Sequence, residues 1–163
     1  MNKFLKAVVF TMLLVLSLQQ VTFAAEKAQR PPKPTEGVES SDPKYGSSKD
    51  IIFFSPAISG LLTDWGCSIS NPSGTTLNVA GSSTANTTVD QMTLTLYLQK
   101  WDGAQWADVN SWSYSSSSTT FINKGTNTTG QAGNYYRTRT VHTATKGTQT
   151  ETQESTSSYI YVQ

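Results

Sequence analysis

Apolar and polar side chains alternate most regularly between residues 89 and 101. The apolar positions recur at every second residue: Met92, Leu94, Leu96 and Leu98. A period of two places all four on one face of a β-strand and the intervening side chains on the other. Asp102 and Gly103 follow at once, and residues 106–114 supply a partner strand. Because both turn residues tolerate positive φ, the pattern predicts a β-hairpin.

Shorter apolar runs predict the other strands. They lie at residues 51–54, 61–69, 75–85, 119–123, 135–145 and 148–162, the last with a break near Ser155. Turn signals separate them at residues 71–74, with the sequence NPSG, and at Lys146 and Gly147. Residues 115–118 and 124–133 are rich in Ser, Asn, Thr and Gly, which predicts loops.

The number and spacing of these strands predict the fold class. About seven or eight short strands with frequent turns are typical of an antiparallel β-sandwich, and a small barrel is the alternative. From Ile51 onward only 11 residues are charged and about a third are Ser or Thr. Charged helical faces are therefore missing from the pattern. We expect one all-β domain over residues 51–163.

The N-terminus has the features of an export signal. Lys3 and Lys6 precede an uncharged apolar stretch over residues 7–18, and a small-x-small cleavage pattern ends at Ala24. An apolar core of about 12 residues is shorter than the roughly 20 that a membrane-spanning helix needs. We expect residues 1–25 to be a signal peptide and the mature protein to be secreted and extracellular, with no membrane span.

Residues 26–50 differ in composition from the rest of the chain. Pro31, Pro32 and Pro34 cannot continue a helix or join a central strand, and the many Glu, Lys and Ser residues leave little to bury. The composition predicts a disordered linker. Without the signal peptide, 10 Lys/Arg stand against 11 Asp/Glu. A charge of −1 offers no attraction to nucleic acid, so we expect no nucleic-acid partner.

Two C-terminal segments resemble the last strands of fibronectin type III-like, immunoglobulin-like domains. They are residues 135–142, with the sequence YYRTRTVH, and residues 157–162, SSYIYV, joined through a turn at Gly147. The resemblance implies a sandwich in which alternate side chains of the first segment face inward. The inward side chains are Tyr136, Thr138, Thr140 and His142, and the outward ones are Arg137 and Arg139.

A wider part of the chain is similar to an uncharacterised family of small secreted β proteins from Gram-positive, spore-forming bacteria. The similarity rests on residues 96–103, with the sequence LYLQKWDG, on residues 135–137 and on residues 142–144, HTA. It extends over about residues 60–163. The resemblance implies an all-β fold and an extracellular location, and it brings no catalytic residues with it.

Few residues are candidates for catalysis or metal binding. His142 is the only histidine, Cys67 is the only cysteine, and no Gly-x-Ser-x-Gly motif is present. These residues predict neither a nucleophilic triad nor a zinc site. Hydrolysis by paired carboxylates, with Asp64 and Asp108 as candidates, is the least favoured alternative. We expect no enzyme activity, no metal and no cofactor, and a buried strand position for Cys67.

The tryptophans are better candidates for a site. Trp101 and Trp106 flank the predicted turn, and Trp112 follows on the partner strand. Exposed side by side, such rings form a flat platform for a sugar, with Asp102 as a hydrogen-bonding group. A structural role is the alternative, because cross-strand aromatic pairs stabilise hairpins and large rings fill cores.

Two functional hypotheses follow, from different classes. The first is a secreted, non-enzymatic module that binds a glycan or cell-wall polymer through Trp101, Trp106, Trp112 and Asp102. The second is a self-assembling extracellular matrix or surface protein. In that case residues 148–162 pair with a second copy, since weakly charged sheet edges are poorly protected.

Overall fold

The computed structural model describes residues 30–50 and 60–163. The strands are β1 (Tyr45–Ser47), β2 (Leu62–Ser73), β3 (Thr76–Trp101), β4 (Trp106–Thr129), β5 (Asn134–Lys146), β6 (Gln149–Thr156) and β7 (Ile160–Val162). A single 3-10 turn, Ser48–Asp50, follows β1. The predicted signal peptide (residues 1–25) and the predicted strand at residues 51–54 lie outside the described residues.

The seven strands form one antiparallel sheet. Its order is β1-β2-β3-β5-β6, with β4 paired to β3 and β7 paired to β5. The all-β prediction is confirmed for the part of the chain that the structure describes. The sheet curls into a half-barrel, and the predicted two-sheet sandwich of fibronectin type III-like or immunoglobulin-like topology is not confirmed.

The long strand β3 explains why one sheet replaces two. The strands predicted at residues 75–85 and 89–101 are a single strand of 26 residues. Its first part pairs with β2 and its second part pairs with β5. On its other side β3 pairs with β4 along both parts. The β3–β4 register shifts between Thr84 and Val89, and Ser118 on β4 has a φ of 51°. Such irregularities bend a sheet, so the two parts belong to one curled layer.

The loops predicted at residues 115–118 and 124–133 are also wrong over most of their length. Residues 115–129 continue β4, and only residues 130–133 remain as a connection to β5. Ser and Thr favour loops because their side chains compete locally for backbone hydrogen bonds. Pairing with β3 along nearly the whole of β4 satisfies that backbone instead.

The interior of the curl is filled from alternate positions of β3. The predicted inward side chains Met92, Leu94, Leu96 and Leu98 are all buried. Two apolar clusters pack on them. One includes Leu62, Val89 and Ile122, and the other includes Ile69, Leu77, Val79 and Tyr136. Burial of this surface is the main favourable term for the fold.

Strand β2 approaches β5 and β6 through side-chain contacts. The Cys67 thiol donates to the Thr138 carbonyl at 3.4 Å, and the Thr138 hydroxyl donates to the Ser68 carbonyl at 3.0 Å. The backbone N–H of Leu62 donates to the Glu151 carboxylate at 3.0 Å. These contacts hold the two margins of the curl together without a backbone ladder.

Residues 30–50 differ from the predicted disordered linker. Strand β1 extends the sheet by pairing with β2, with Tyr45 opposite Ser70. Farther upstream, the N–H of Tyr159 donates to the Val38 carbonyl at 2.8 Å, and the N–H of Ser40 donates to the Tyr159 carbonyl at 2.9 Å. The segment is poor in apolar side chains, but the sheet margins offer partners for its backbone groups, which composition does not reveal.

Candidate functional site

The predicted tryptophan pair forms at the tip of the β3–β4 hairpin. Trp101 and Trp106 are cross-strand partners, with ring centroids 5.4 Å apart and planes inclined by 62°. Asp102 shapes the turn between them, because its carboxylate accepts from the N–H groups of Ala104 and Gln105, both at 2.8 Å. These hydrogen bonds lower the pKa of Asp102. The hairpin and the pairing of its tryptophans are confirmed.

Trp101 does not belong to an exposed platform. Its side chain is only 2% exposed, because it packs in a cluster with tyrosines of β5 and of the segment before β7. We define the aromatic cluster as Trp101, Trp106, Tyr135, Tyr159 and Tyr161. Neighbouring rings lie 4.9 to 5.8 Å apart, at tilted or edge-to-face angles. This is the packing of a core, and it agrees with the structural alternative for Trp101.

Trp106 is half-buried and is covered from two sides. The Arg137 guanidinium lies 4.3 Å from the centre of its ring, and its indole N–H donates to the Glu36 carbonyl at 2.9 Å. The Arg137 Nε donates to Gln99 at 2.7 Å. Burial lowers the pKa of Arg137 to about 10, so the guanidinium remains charged at neutral pH.

Trp112 lies away from this tip. It is opposite Leu96 in the β3–β4 ladder, and it packs half-buried against the apolar cluster of Leu77, Leu96 and Leu98. The structure therefore does not bring Trp112 together with Trp101 and Trp106 as one surface.

An open groove lies on the outer side of the sheet beside β1. Its volume is about 290 Å³, near the lower end of the range found for small-ligand sites. The floor is made of small residues on β2 and β3: Gly66, Ser68, Ala80 and Ser82. Tyr45 and Lys49 line one side, and Asn123 of β4 lies opposite. We call this feature the groove.

The groove owes its shape to the register of four strands. Ser47, Ser68 and Ala80 are successive cross-strand partners, and Ser82 pairs with Gly66 on one side and with Asn123 on the other. None of these cross-strand partners has a side chain larger than Asn, so a depression forms on the surface of the sheet. A Cβ at Gly66 would lie 2.9 Å from the Ser48 hydroxyl, so glycine allows the 3-10 turn to approach β2.

Tyr45 is the aromatic side chain of the groove that faces solvent, with 46% of its surface exposed. Serine hydroxyls and the Asn123 amide supply hydrogen-bonding groups around it, and Lys49 supplies the one positive charge of the lining. An aromatic face beside hydroxyl and amide groups suits a neutral, hydroxylated ligand. The sequence offered one signal: Tyr45 is the only aromatic residue within residues 26–50.

Cys67 contributes to the floor of the groove but is not a nucleophile there. Its side chain is buried, as predicted. Burial raises the pKa of its thiol to about 11, so the thiol stays protonated at neutral pH. Only the thiolate is a strong nucleophile.

Behind this floor lies a group of polar side chains, which we call the polar interior. It consists of the buried Cys67, Ser83, Thr138, Thr140 and His142 and the half-buried Ser155. The two ring nitrogens of His142 each contact a serine hydroxyl at 2.8 Å, Nδ1 that of Ser83 and Nε2 that of Ser155. His142 is fully buried. Burial lowers its pKa to about 4, so it is neutral at pH 7.

The inward orientation expected for β5 is confirmed. Tyr136, Thr138, Thr140 and His142 are buried, while Arg137 and Arg139 are partly exposed. Within the described residues no three His, Cys, Asp or Glu side chains lie close enough to hold a metal ion.

Comparison with known proteins identifies no relative of this chain. No protein-family model, no curated protein and no solved structure matches this chain. None of the helical segments in residues 30–50 and 60–163 has the length and apolar character that crossing a membrane requires.

Proposed function

We propose that this protein is a secreted, non-enzymatic module that binds a glycan or cell-wall polymer in the groove beside β1. The observation that carries the proposal is an open groove in which an exposed tyrosine ring faces short hydroxyl side chains and an amide. Secretion rests on the sequence features of residues 1–25. The binding surface is then formed around Tyr45 and not around Trp101 and Trp106.

The chemistry of the groove favours a sugar over an ionic ligand. Aromatic rings pack against the apolar face of a pyranose, and hydroxyl and amide groups exchange hydrogen bonds with its edge. The lining carries one charged side chain, Lys49, so a polyanion would find little compensation.

Co-sedimentation with insoluble polymers tests this proposal. Peptidoglycan, chitin, cellulose and an exopolysaccharide are incubated with the wild-type protein, with Tyr45→Ala and with Ser82→Trp, which fills the floor without removing the ring. Val109→Ala is the matched control, because Val109 is 48% exposed and lies on β4 outside the groove.

We expect retention of the wild type and of the control on at least one polymer. Loss of one aromatic contact weakens binding by about tenfold, and we expect a similar loss for Ser82→Trp. Equal retention of all four proteins would refute the role of the groove. No retention of the wild type on any polymer would refute the function itself.

A second candidate function, self-assembly, is favoured by the edge of β4. In the described part of the chain this 24-residue strand pairs with β3 alone, and it carries only Asp108 and Lys124 as charged residues. Long, weakly charged edges tend to pair with other strands. The candidate edge is therefore β4 as well as the predicted residues 148–162.

Sedimentation velocity over a range of protein concentrations tests self-assembly. We expect larger species at high concentration for the wild type and for Ser115→Thr, and fewer for Ser115→Lys, because an edge lysine opposes strand pairing. A wild-type protein that sediments as a monomer at every concentration excludes this function.

A further inference from the structure

The aromatic cluster is covered by a proline-rich part of the same chain. We call residues 30–40 the strap. Its first residue, Arg30, places its guanidinium 4.0 Å from the centre of the Tyr161 ring. Near its middle, the Glu36 carbonyl accepts from Trp106, and near its end Val38 and Ser40 exchange backbone hydrogen bonds with Tyr159. The strap therefore contacts the cluster at its first residue, near its middle and near its end.

The strap has the composition of a peptide ligand. Arg30, Pro31, Pro32, Lys33 and Pro34 begin it, and Pro34 is the one buried residue in the strap. Proline-rich segments dock on surfaces lined by aromatic rings, since their extended shape is already fixed and little entropy is lost. Gly37 fits the same surface with a φ of 91°, and a Cβ there would lie 3.1 Å from Arg137.

The strap contributes little apolar burial to the fold. Val38 is 43% exposed, and the ion pair between Lys33 and Glu39 lies within the strap and is exposed to solvent. Most of its attachment consists of hydrogen bonds and cation–π contacts that water can replace. Contacts of this kind can open locally while the apolar clusters stay folded.

The strap joins β1 through a short hinge, residues 41–44. The hinge turns back on itself, with the Asp42 carboxylate accepting from the Lys44 N–H at 2.8 Å. Pro43 follows Asp42, and a proline favours an extended conformation of the residue before it. Opening of this turn would carry the strap away from its own cluster.

We propose that the aromatic cluster is a docking site for a proline-rich, arginine-bearing segment and that the strap of a second copy occupies it in trans. Exchange of identical straps preserves every contact made in cis, so its cost is limited to hinge opening and association. At low concentration the short hinge holds the strap close to its own site, and the closed monomer dominates. At high concentration the straps exchange and join two copies.

Two full-length variants with complementary defects test this proposal. Arg30→Ala/Pro34→Ala weakens the strap and leaves the cluster intact, so it is the acceptor. Trp106→Phe/Tyr161→Ala weakens the cluster and leaves the strap intact, so it is the donor. At a concentration at which the wild type is a closed monomer, we expect each variant alone to stay monomeric and their equimolar mixture to form a heterodimer.

This design separates strap exchange from pairing of the β4 edge and from glycan binding. Neither variant changes the exposed edge of β4 between residues 107 and 129 or the groove, so edge pairing would appear in each variant alone. Failure to bind polymer leaves the expected heterodimer unchanged. Circular dichroism and a cooperative melt establish that both variants are folded.

A labelled peptide of residues 30–40 supplies a second measurement. The acceptor variant should bind it at least tenfold more tightly than the wild type, whose own strap competes, and Ala at positions 30 and 34 of the peptide should abolish binding. If the folded acceptor binds the peptide no better than the wild type and the mixture stays monomeric, the proposal is overturned.

Discussion

The aromatic cluster and the groove show that the same residue types perform different tasks according to what lies against them. The cluster contains five large rings, yet its central ring, Trp101, is buried and its outer face is covered by the strap. The groove contains one ring, Tyr45, that faces solvent above a floor of short side chains. In this chain the clustered aromatic rings stabilise the fold, whereas the exposed ring of Tyr45 indicates the candidate binding site.

The two regions also differ in what supports them. Tyrosine rings surround Trp101, whereas the floor of the groove rests on the polar interior around His142. Apolar packing contributes stability at every pH, but a buried histidine contributes in a pH-dependent way. Single substitutions in the two regions therefore separate the two contributions.

Trp101→Ala should cause the largest loss of stability. Removal of a buried tryptophan leaves a cavity and costs about 3–5 kcal/mol of unfolding free energy. Urea denaturation measures this value, with Val109→Ala as a control that should change it by less than about 0.5 kcal/mol. A similarly small effect for Trp101→Ala would mean that the cluster is not structural.

Acidification should destabilise the protein through His142. The folded pKa of about 4 lies below the ordinary value of 6.5, so the unfolded chain binds a proton that the folded chain rejects. The unfolding free energy is unaffected by His142 above about pH 6.5 and decreases as the pH falls toward 4. Protonation of this residue lowers it by about 3 kcal/mol in total. Urea denaturation at several pH values measures the slope.

The matched variant for this measurement is His142→Gln, which keeps hydrogen-bonding groups for Ser83 and Ser155 but does not titrate. We expect its stability to be flat between pH 6.5 and 5. The same slope in wild type and variant would assign the acid sensitivity to other groups.

Thr140→Val should increase stability slightly. The Thr140 hydroxyl is buried without a nitrogen or oxygen partner among the described residues, and it lies beside the Cys67 thiol, a weak hydrogen-bonding group. Replacing an unsatisfied hydroxyl by a methyl group removes a desolvation cost of about 1 kcal/mol. Thermal melting detects the change, and a decrease in the melting temperature would show that the hydroxyl is satisfied.

Tyr45→Ala should have the smallest effect on stability and a large effect on polymer binding. An exposed side chain on a three-residue edge strand contributes less than about 0.5 kcal/mol. Urea denaturation and polymer co-sedimentation of the same preparation compare the two properties directly. A loss of stability as large as that of Trp101→Ala would remove the distinction between the two regions.

The features of this structure that depend on neighbouring residues could be predicted from the sequence. The alternation from Met92 to Leu98 and the Asp102-Gly103 turn predicted the central hairpin, its inward face and the pairing of Trp101 with Trp106. Period-two burial and turn chemistry act over a few residues, so a sequence reveals them directly. The same local signals could not tell that residues 75–85 and 89–101 are one bent strand.

Local residue patterns specify the strand-rich class of the domain and the side chains of β3 and β5 that face inward. Tertiary structure decided the rest, because burial, register and coverage depend on segments distant in the chain. Trp101 is buried by tyrosines some 30 to 60 residues away, and the groove needs Tyr45 beside Gly66, Ala80 and Asn123. A weakly apolar segment gained an ordered position only because a sheet edge and an aromatic surface were there to receive it.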